Sequence, residues 1–172
     1  SLNKPITKKN ELNQVLAGHV IRASEKLRKQ IQLTGKITIF TRTSFYSHNF
    51  YSQEATKCLE VPSNNTNTIL RVALSLTEKI YRDNYHLIKV GVIMKNLQSQ
   101  NNIQLSLHEP FNKEKQHKQE HLMKTIDNLN KRYGYNTITW CVCNINNKLQ
   151  MRRNKLSQAS TTKYREIPTA RA

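Results

Sequence analysis

Carboxylates are scarce in this chain. Its 172 residues carry 11 acidic side chains, and the only aspartates are Asp83 and Asp127, one in each half. Two-metal phosphoryl chemistry needs acids gathered around the ions, and glutamates scattered over polar helix faces supply no such cluster. Glycine is equally thin: Gly18, Gly35, Gly91 and Gly134 stand far apart, which excludes a Gly-rich loop cradling phosphates. Cysteine is limited to Cys58, Cys141 and Cys143, an odd, sparse set that fits a reducing cytoplasm better than a disulfide framework. No apolar run approaches membrane-spanning length, and no charged-then-apolar signal segment opens the chain. No catalytic Ser or Cys constellation is legible. These absences describe a non-catalytic binding module, cytoplasmic, with no membrane partner and no cofactor of its own. Opening at Ser1 without a methionine, the chain reads as a fragment or a processed product.

What is abundant is positive charge. Lys and Arg number 28, for a net charge of +17 and a pI near 10.0. The excess divides almost evenly between residues 1–103 and 104–172, as for a folded surface facing a polyanion rather than for a basic tail. Nucleic acid is the partner this charge favours, over the weaker alternative of an acidic membrane surface. A hydrophobic fraction of 37% suffices for a core, and the length allows one domain with an appendage or two small ones.

Hydrophobic spacing predicts the elements. Residues 1–6 form a short first strand. Asn10 is a plausible N-cap for a helix whose apolar stripe is Leu12, Val15, Leu16, Val20, Ala23, Leu27 and Ile31, with Gly35 as its stop. Lys36 to Thr43 alternates, Ile37 and Ile39 inward and Lys36, Thr38, Phe40 and Arg42 outward. Thr56 to Val61 is the next strand, closed by Pro62 and Ser63-Asn64-Asn65. Thr66 or Asn67 caps a helix with Ile69, Ala73, Leu76 and Ile80 on its buried side. His86 to Asn96 is a strand with Ile88, Val90, Val92 and Met94 inward and Lys89, Gly91 and Lys95 outward. The order βαββαβ gives an α+β fold, a four-stranded sheet with two helices on one face and the other face open. That open face carries Lys36, Arg42, Lys89 and Lys95. Gly91 leaves a gap where a partner's backbone could approach, a bulge being the plainer alternative. Such a face suits phosphate contact better than base readout.

Residues 98–116 are a polar linker around Gln104-Leu105-Ser106-Leu107-His108. Its alternation is that of a peptide that docks into another protein's pocket, although spacing alone favours a short edge strand or a strap packed on its own domain. Residues 117–172 form a small second module: a helix from His117 to Tyr133 stopped by Gly134, a strand from Thr137 to Cys143, and a further strand from Lys148 to Arg153. His117, His121, Cys141 and Cys143 are zinc-type ligands, but a C-x-C on a strand has no chelating turn and the helix is highly charged, so we expect no metal there. An RNA-binding RNP sheet stacks bases on aromatic residues of its central strands. Phe40 alone is available for that here, and the RNP motif is missing.

Arg42-Thr43-Ser44, Lys89-Val90-Gly91-Val92, Gln104 to Leu107, Ile126-Asp127-x-Leu129-Asn130, Tyr133-Gly134, Met151-Arg152-Arg153 and Thr161-Thr162 occur in an order and spacing that resembles the C-terminal portion of the UmuC-type polymerases, the Y-family translesion enzymes of SOS mutagenesis. The resemblance implies that residues 1–97 are the little finger domain that grips DNA, with Lys4, Lys36, Arg42, Thr43, Lys57, Lys89, Gly91 and Lys95 facing the primer–template duplex. It also implies that 98–116 tether the β sliding clamp through Gln104, Leu105, Ser106, Leu107 and His108, and that 117–172 are the UmuC-type C-terminal module. His108 stands where the family has an aromatic, and imidazole buries less apolar area, which weakens clamp binding. Ser157-Gln158-Ala159-Ser160 departs from the family's Ser-Pro-x-aromatic run. A UmuD-type dimer and RecA are further partners by resemblance. The Mg2+-binding acids would lie upstream, in a catalytic domain this chain does not contain. The alternative is a stand-alone basic adaptor that binds RNA or other nucleic acid without a polymerase.

Overall fold

A computed structural model describes residues 2–100, 113–143, 157–159, 161, 162, 165 and 167. Helix α1 runs Lys9–Lys29 and buries Leu12, Leu16, Ala17, Val20, Ile21, Ser24 and Leu27, positions three and four apart that fall on one face. It begins one residue before the predicted cap. Lys8 is the extended residue at its start and makes no side-chain cap, and Asn10 already lies in the first turn. The C-terminus is corrected too. The left-handed residue is Ile31, at φ 53°, while Gly35 lies inside the following strand. A β-branched side chain is disfavoured there. In exchange Leu33 turns into the core at 4% exposure while Ile31 stays 59% exposed.

Strand β1 (Gln32–Arg42) is central. It pairs antiparallel with β2 (Ser52–Ser63) on one side and β3 (Lys89–Ser99) on the other, in the order β2-β1-β3. Helix α2 (Thr66–Ile80) crosses from β2 to β3. Its cap is Asn65, whose side chain accepts from the Asn67 N–H at 2.9 Å, one residue earlier than predicted. The core lies between the helices and one sheet face: Leu16, Ala17, Val20 and Leu27 of α1, Ile69, Leu70, Ala73, Leu76 and Ile80 of α2, and Ile37 and Ile39 of β1, with Val90, Val92 and Met94 of β3 packed against them. Each buried Leu or Ile contributes roughly 1.5–3 kcal/mol, which makes this cluster the main source of stability.

The protein is α+β, as the element order predicted, but the sheet has three full strands. The fourth is a single bridge, Ile6 to Leu87, supported by a bond from the Leu2 N–H to the Ile88 carbonyl at 2.8 Å. Pro5 has no N–H to donate, so a ladder cannot run through this segment. Ile6 instead anchors it in a satellite core with Leu12 and Leu87.

Helix α3 (Lys113–Tyr133) starts four residues before the predicted His117, inside the stretch expected to be linker, and stops where predicted, just before Gly134 at φ 113°. The strand expected over Thr137–Cys143 is absent; those residues form turns. Asn130 accounts for the difference, accepting from the Ile138 N–H at 2.8 Å and donating to the Ile138 carbonyl at 2.9 Å, which satisfies that backbone without a neighbouring strand. The strand expected over 148–153 lies outside the described residues. This second unit packs on the helical side of the first. Asp127 of α3 accepts two bonds from Arg28 of α1, at 2.7 and 2.8 Å, and the same guanidinium donates to the Asn64 carbonyl and the Thr66 hydroxyl at 2.8 and 2.9 Å. The Trp140 indole N–H donates to Asn67, the Tyr135 hydroxyl accepts from Arg22, and Trp140, Val142 and Cys143 pack on the main core. The opposite sheet face is left free of these contacts.

Candidate nucleic-acid interface

Side chains directly opposite each other in an antiparallel ladder share a face. The β1–β3 register therefore builds the open face in rungs: Arg42 beside Lys89, Phe40 beside Gly91, Thr38 beside Ile93, and Lys36 beside Lys95. Two of these four rungs juxtapose two cations, an arrangement that destabilises a sheet. Among the described residues no carboxylate forms a salt bridge with Lys36, Lys89 or Lys95. The six-residue offset between the two cationic rungs places them about 20 Å apart along the strands. Between them lie the half-buried Phe40, the buried Thr38 and the exposed Ile93. Thr38 is held across the β1–β2 rung by a 2.8 Å hydroxyl–hydroxyl bond to Thr56. Glu54, opposite Phe40 on β2, is the acidic residue of the paired rungs. Positive potential is thus concentrated along the β1–β3 seam, one strand away from it.

Gly91 is explained differently from the sequence expectation. A Cβ built on it would stand 2.4 Å from Cζ of Phe40 and 2.5 Å from Cε1. The gap is filled by this chain's own aromatic ring, lying across the glycine from the neighbouring strand, so no partner backbone enters there. Gly91→Ala must swing the Phe40 ring aside. We expect it to lower the unfolding free energy by about 1–2 kcal/mol. In a Gly91→Ala background, Phe40→Ala should cost clearly less than it does in the wild type. Urea unfolding of the four variants measures this coupling; strictly additive effects would contradict the packing described.

The other predicted site residues are placed as follows. Lys57 stands opposite Ile37, on the helix-covered side of β2 between Ala55 and Leu59, which pack on the core; the register separates it from the cationic rungs. Thr43 is 1% exposed, and its hydroxyl accepts from the Tyr51 N–H at 2.9 Å, so it fixes the loop after β1 instead of facing solvent. Lys4 is exposed in the opening segment, which pairs with residues 87 and 88 just before Lys89. Gln104, Leu105, Ser106, Leu107 and His108 lie outside the described residues. His117 and His121 are exposed on α3, and Cys141 and Cys143 fall in the turns after it.

Sequence reasoning passed over the loop between β1 and β2. Phe45, Tyr46 and Phe50 are 67%, 99% and 49% exposed. The Arg42 guanidinium sits 4.0 Å from the Phe45 ring centre, and the Phe45 and Phe50 rings lie 5.5 Å apart and nearly parallel. The signal was present in Phe45-Tyr46-Ser47-His48-Asn49-Phe50: aromatic residues in a stretch whose other members are turn formers, where no core can claim them.

Residues 1–107 match the C-terminal domain of the impB/mucB/samB family, and the chain belongs to that family. Residues 120–170 match a separate domain of unknown function, DUF4113. Similar proteins include ImpB of Salmonella typhimurium (32% identical, over 99% of this chain and 40% of the relative), MucB of Escherichia coli (34%, over 93% and 37%) and UmuC of Salmonella typhimurium (28%, over 97% and 40%). The chain spans about 40% of the length of these relatives.

Proposed function

We propose that this chain is the DNA-gripping region of a Y-family translesion polymerase. Its open sheet face lies along the duplex backbone, and the peptide Gln104-Leu105-Ser106-Leu107-His108, between β3 and α3 in the sequence, tethers the sliding clamp. The observation that carries the grip is the pair of like-charged rungs, Arg42–Lys89 and Lys36–Lys95. Their mutual repulsion opposes folding and is relieved when phosphates lie over the seam, so the face is built for an anionic backbone and not for its own stability. Family membership and resemblance to UmuC and MucB support the polymerase context. The α1–α2 layer carries α3 on the other side, so the duplex and α3 do not compete for one surface.

The test is anisotropy of the 172-residue chain with blunt duplexes of unrelated sequence over a range of salt. Engagement of the four rung cations predicts a log–log slope of about −3.6, nearly the same for every sequence. A flat salt response, or affinity confined to one sequence, would overturn the reading. Clamp tethering is checked separately: Leu105→Ala/Leu107→Ala should abolish binding to a β sliding clamp while leaving duplex affinity unchanged. Retention of clamp binding by that variant would remove 98–116 from the proposal.

A further inference from the structure

We propose that the β1–β2 loop is a stacking platform for unpaired bases where a DNA strand leaves the duplex at the Arg42–Lys89 end of the sheet. The inference rests on the duplex grip proposed above and adds a second ligand state, single-stranded nucleotides. Tyr46 is 99% exposed, Phe45 and Phe50 expose much of their rings, and all three lie within six residues of sequence. Apolar rings grouped on a strongly cationic surface mark a binding site more often than a structural accident.

The platform is fixed at its base. The Thr43 N–H donates to the Tyr51 carbonyl at 2.9 Å, and the Tyr51 N–H donates back to the Thr43 hydroxyl. The Tyr51 phenol donates to the Ile80 carbonyl at 2.8 Å, and its ring stacks on Tyr85 at 4.4 Å. Burial raises the pKa of that phenol above its ordinary value. Inside the loop the Ser47 N–H reaches the Ser44 carbonyl, and the Tyr46 N–H reaches the Ser44 hydroxyl. A loop closed by these bonds presents its rings with little ordering left to do on binding.

Charge settles the occupant. Arg42 both stacks on Phe45 and forms the end rung with Lys89, so the cations that would hold the last duplex phosphates adjoin the rings. Aromatic faces beside a track of cations are what single-stranded nucleic acid binds, through its bases and its backbone respectively. An apolar protein segment would have no use for the flanking cations.

The experiment compares binding of the 172-residue chain to a blunt DNA hairpin and to the same hairpin with a short adenine overhang carrying 2-aminopurine. The wild type should prefer the overhang by roughly 5- to 150-fold, with quenched 2-aminopurine emission. Tyr46→Ala, which removes a side chain without burial, should cut that preference and restore emission while the melting temperature and blunt-hairpin affinity stay put. Phe45→Leu/Phe50→Leu should do the same more strongly. Equal affinity for the two hairpins, or a preference that survives Tyr46→Ala and Phe45→Leu/Phe50→Leu alike, overturns the platform and leaves the duplex grip standing. Failure to bind even the blunt hairpin overturns both.

Discussion

Arg28→Ala should lower the unfolding free energy by about 2–4 kcal/mol and release α3 from the helical layer. The side chain is 10% exposed and its partner Asp127 22%, so neither charge is well hydrated once the other is gone. Arg28 makes four bonds to three residues: two to Asp127, one to the Asn64 carbonyl and one to the Thr66 hydroxyl. Removing it strands an acid, a carbonyl before α2 and a hydroxyl in the first turn of α2. Arg28→Lys should recover only part of the loss, because an ammonium cannot reproduce the planar fork that meets Asp127, Asn64 and Thr66 together. Asp127→Asn should cost less than Arg28→Ala, since the bonds to Asn64 and Thr66 persist. Urea unfolding gives the free energies. Amide exchange should show residues 118–133 losing protection in Arg28→Ala while β1 keeps its own. If β1 and α3 lost protection equally, or Arg28→Ala were neutral, the clasp would not be what docks the C-terminal helix.

The second large effect is on binding, and its sign opposes that on stability. Lys89→Glu/Lys95→Glu converts both like-charged rungs into opposite-charge rungs, with Arg42 and Lys36 as partners. The folded protein should become slightly more stable, because repulsion across each rung turns to attraction. Duplex affinity should fall on the order of 100-fold near physiological salt, and the salt slope should become shallower by about 2, since two phosphate contacts are gone. Thermal melting and duplex titration of the same sample supply both readouts. A variant that lost stability and affinity together would show that binding had merely followed folding. One that gained stability and kept its affinity would move the DNA contacts off this face.

Much of the fold was legible because one period dominated each element. Leu16, Val20 and Leu27 on α1, Ile69, Ala73, Leu76 and Ile80 on α2, and Ile37 and Ile39 on β1 all reached the core. The outward alternation of Lys36, Arg42, Lys89 and Lys95 likewise survived in the register. The rest depended on partners that the local pattern of each stretch does not name, some of them distant in sequence. Gly91 reads as an opening until Phe40, 51 residues earlier, is set against it. Lys57 joins a basic list until the pairing of Lys57 with Ile37 assigns its face. Thr137–Cys143 has strand-like composition, but Asn130 takes the backbone bonds at Ile138 that a neighbouring strand would need. Arg28 lies off the apolar stripe of α1, where spacing alone names no partner for it, though it joins α1 to α3 and to the start of α2. The β1–β2 loop was overlooked because turn composition discourages any search for contacts, and its rings make theirs with each other and with Arg42.

Duplex DNA lying on the sheet face along the β1–β3 seam has a direct signature in amide chemical-shift mapping of the 172-residue chain during titration with a blunt duplex. The largest shifts should fall on Lys36, Thr38, Phe40, Arg42, Lys89, Gly91, Ile93 and Lys95, with α1, α2 and α3 nearly silent. Shifts concentrated on the exposed faces of α1 and α3, with the seam unmoved, would contradict it.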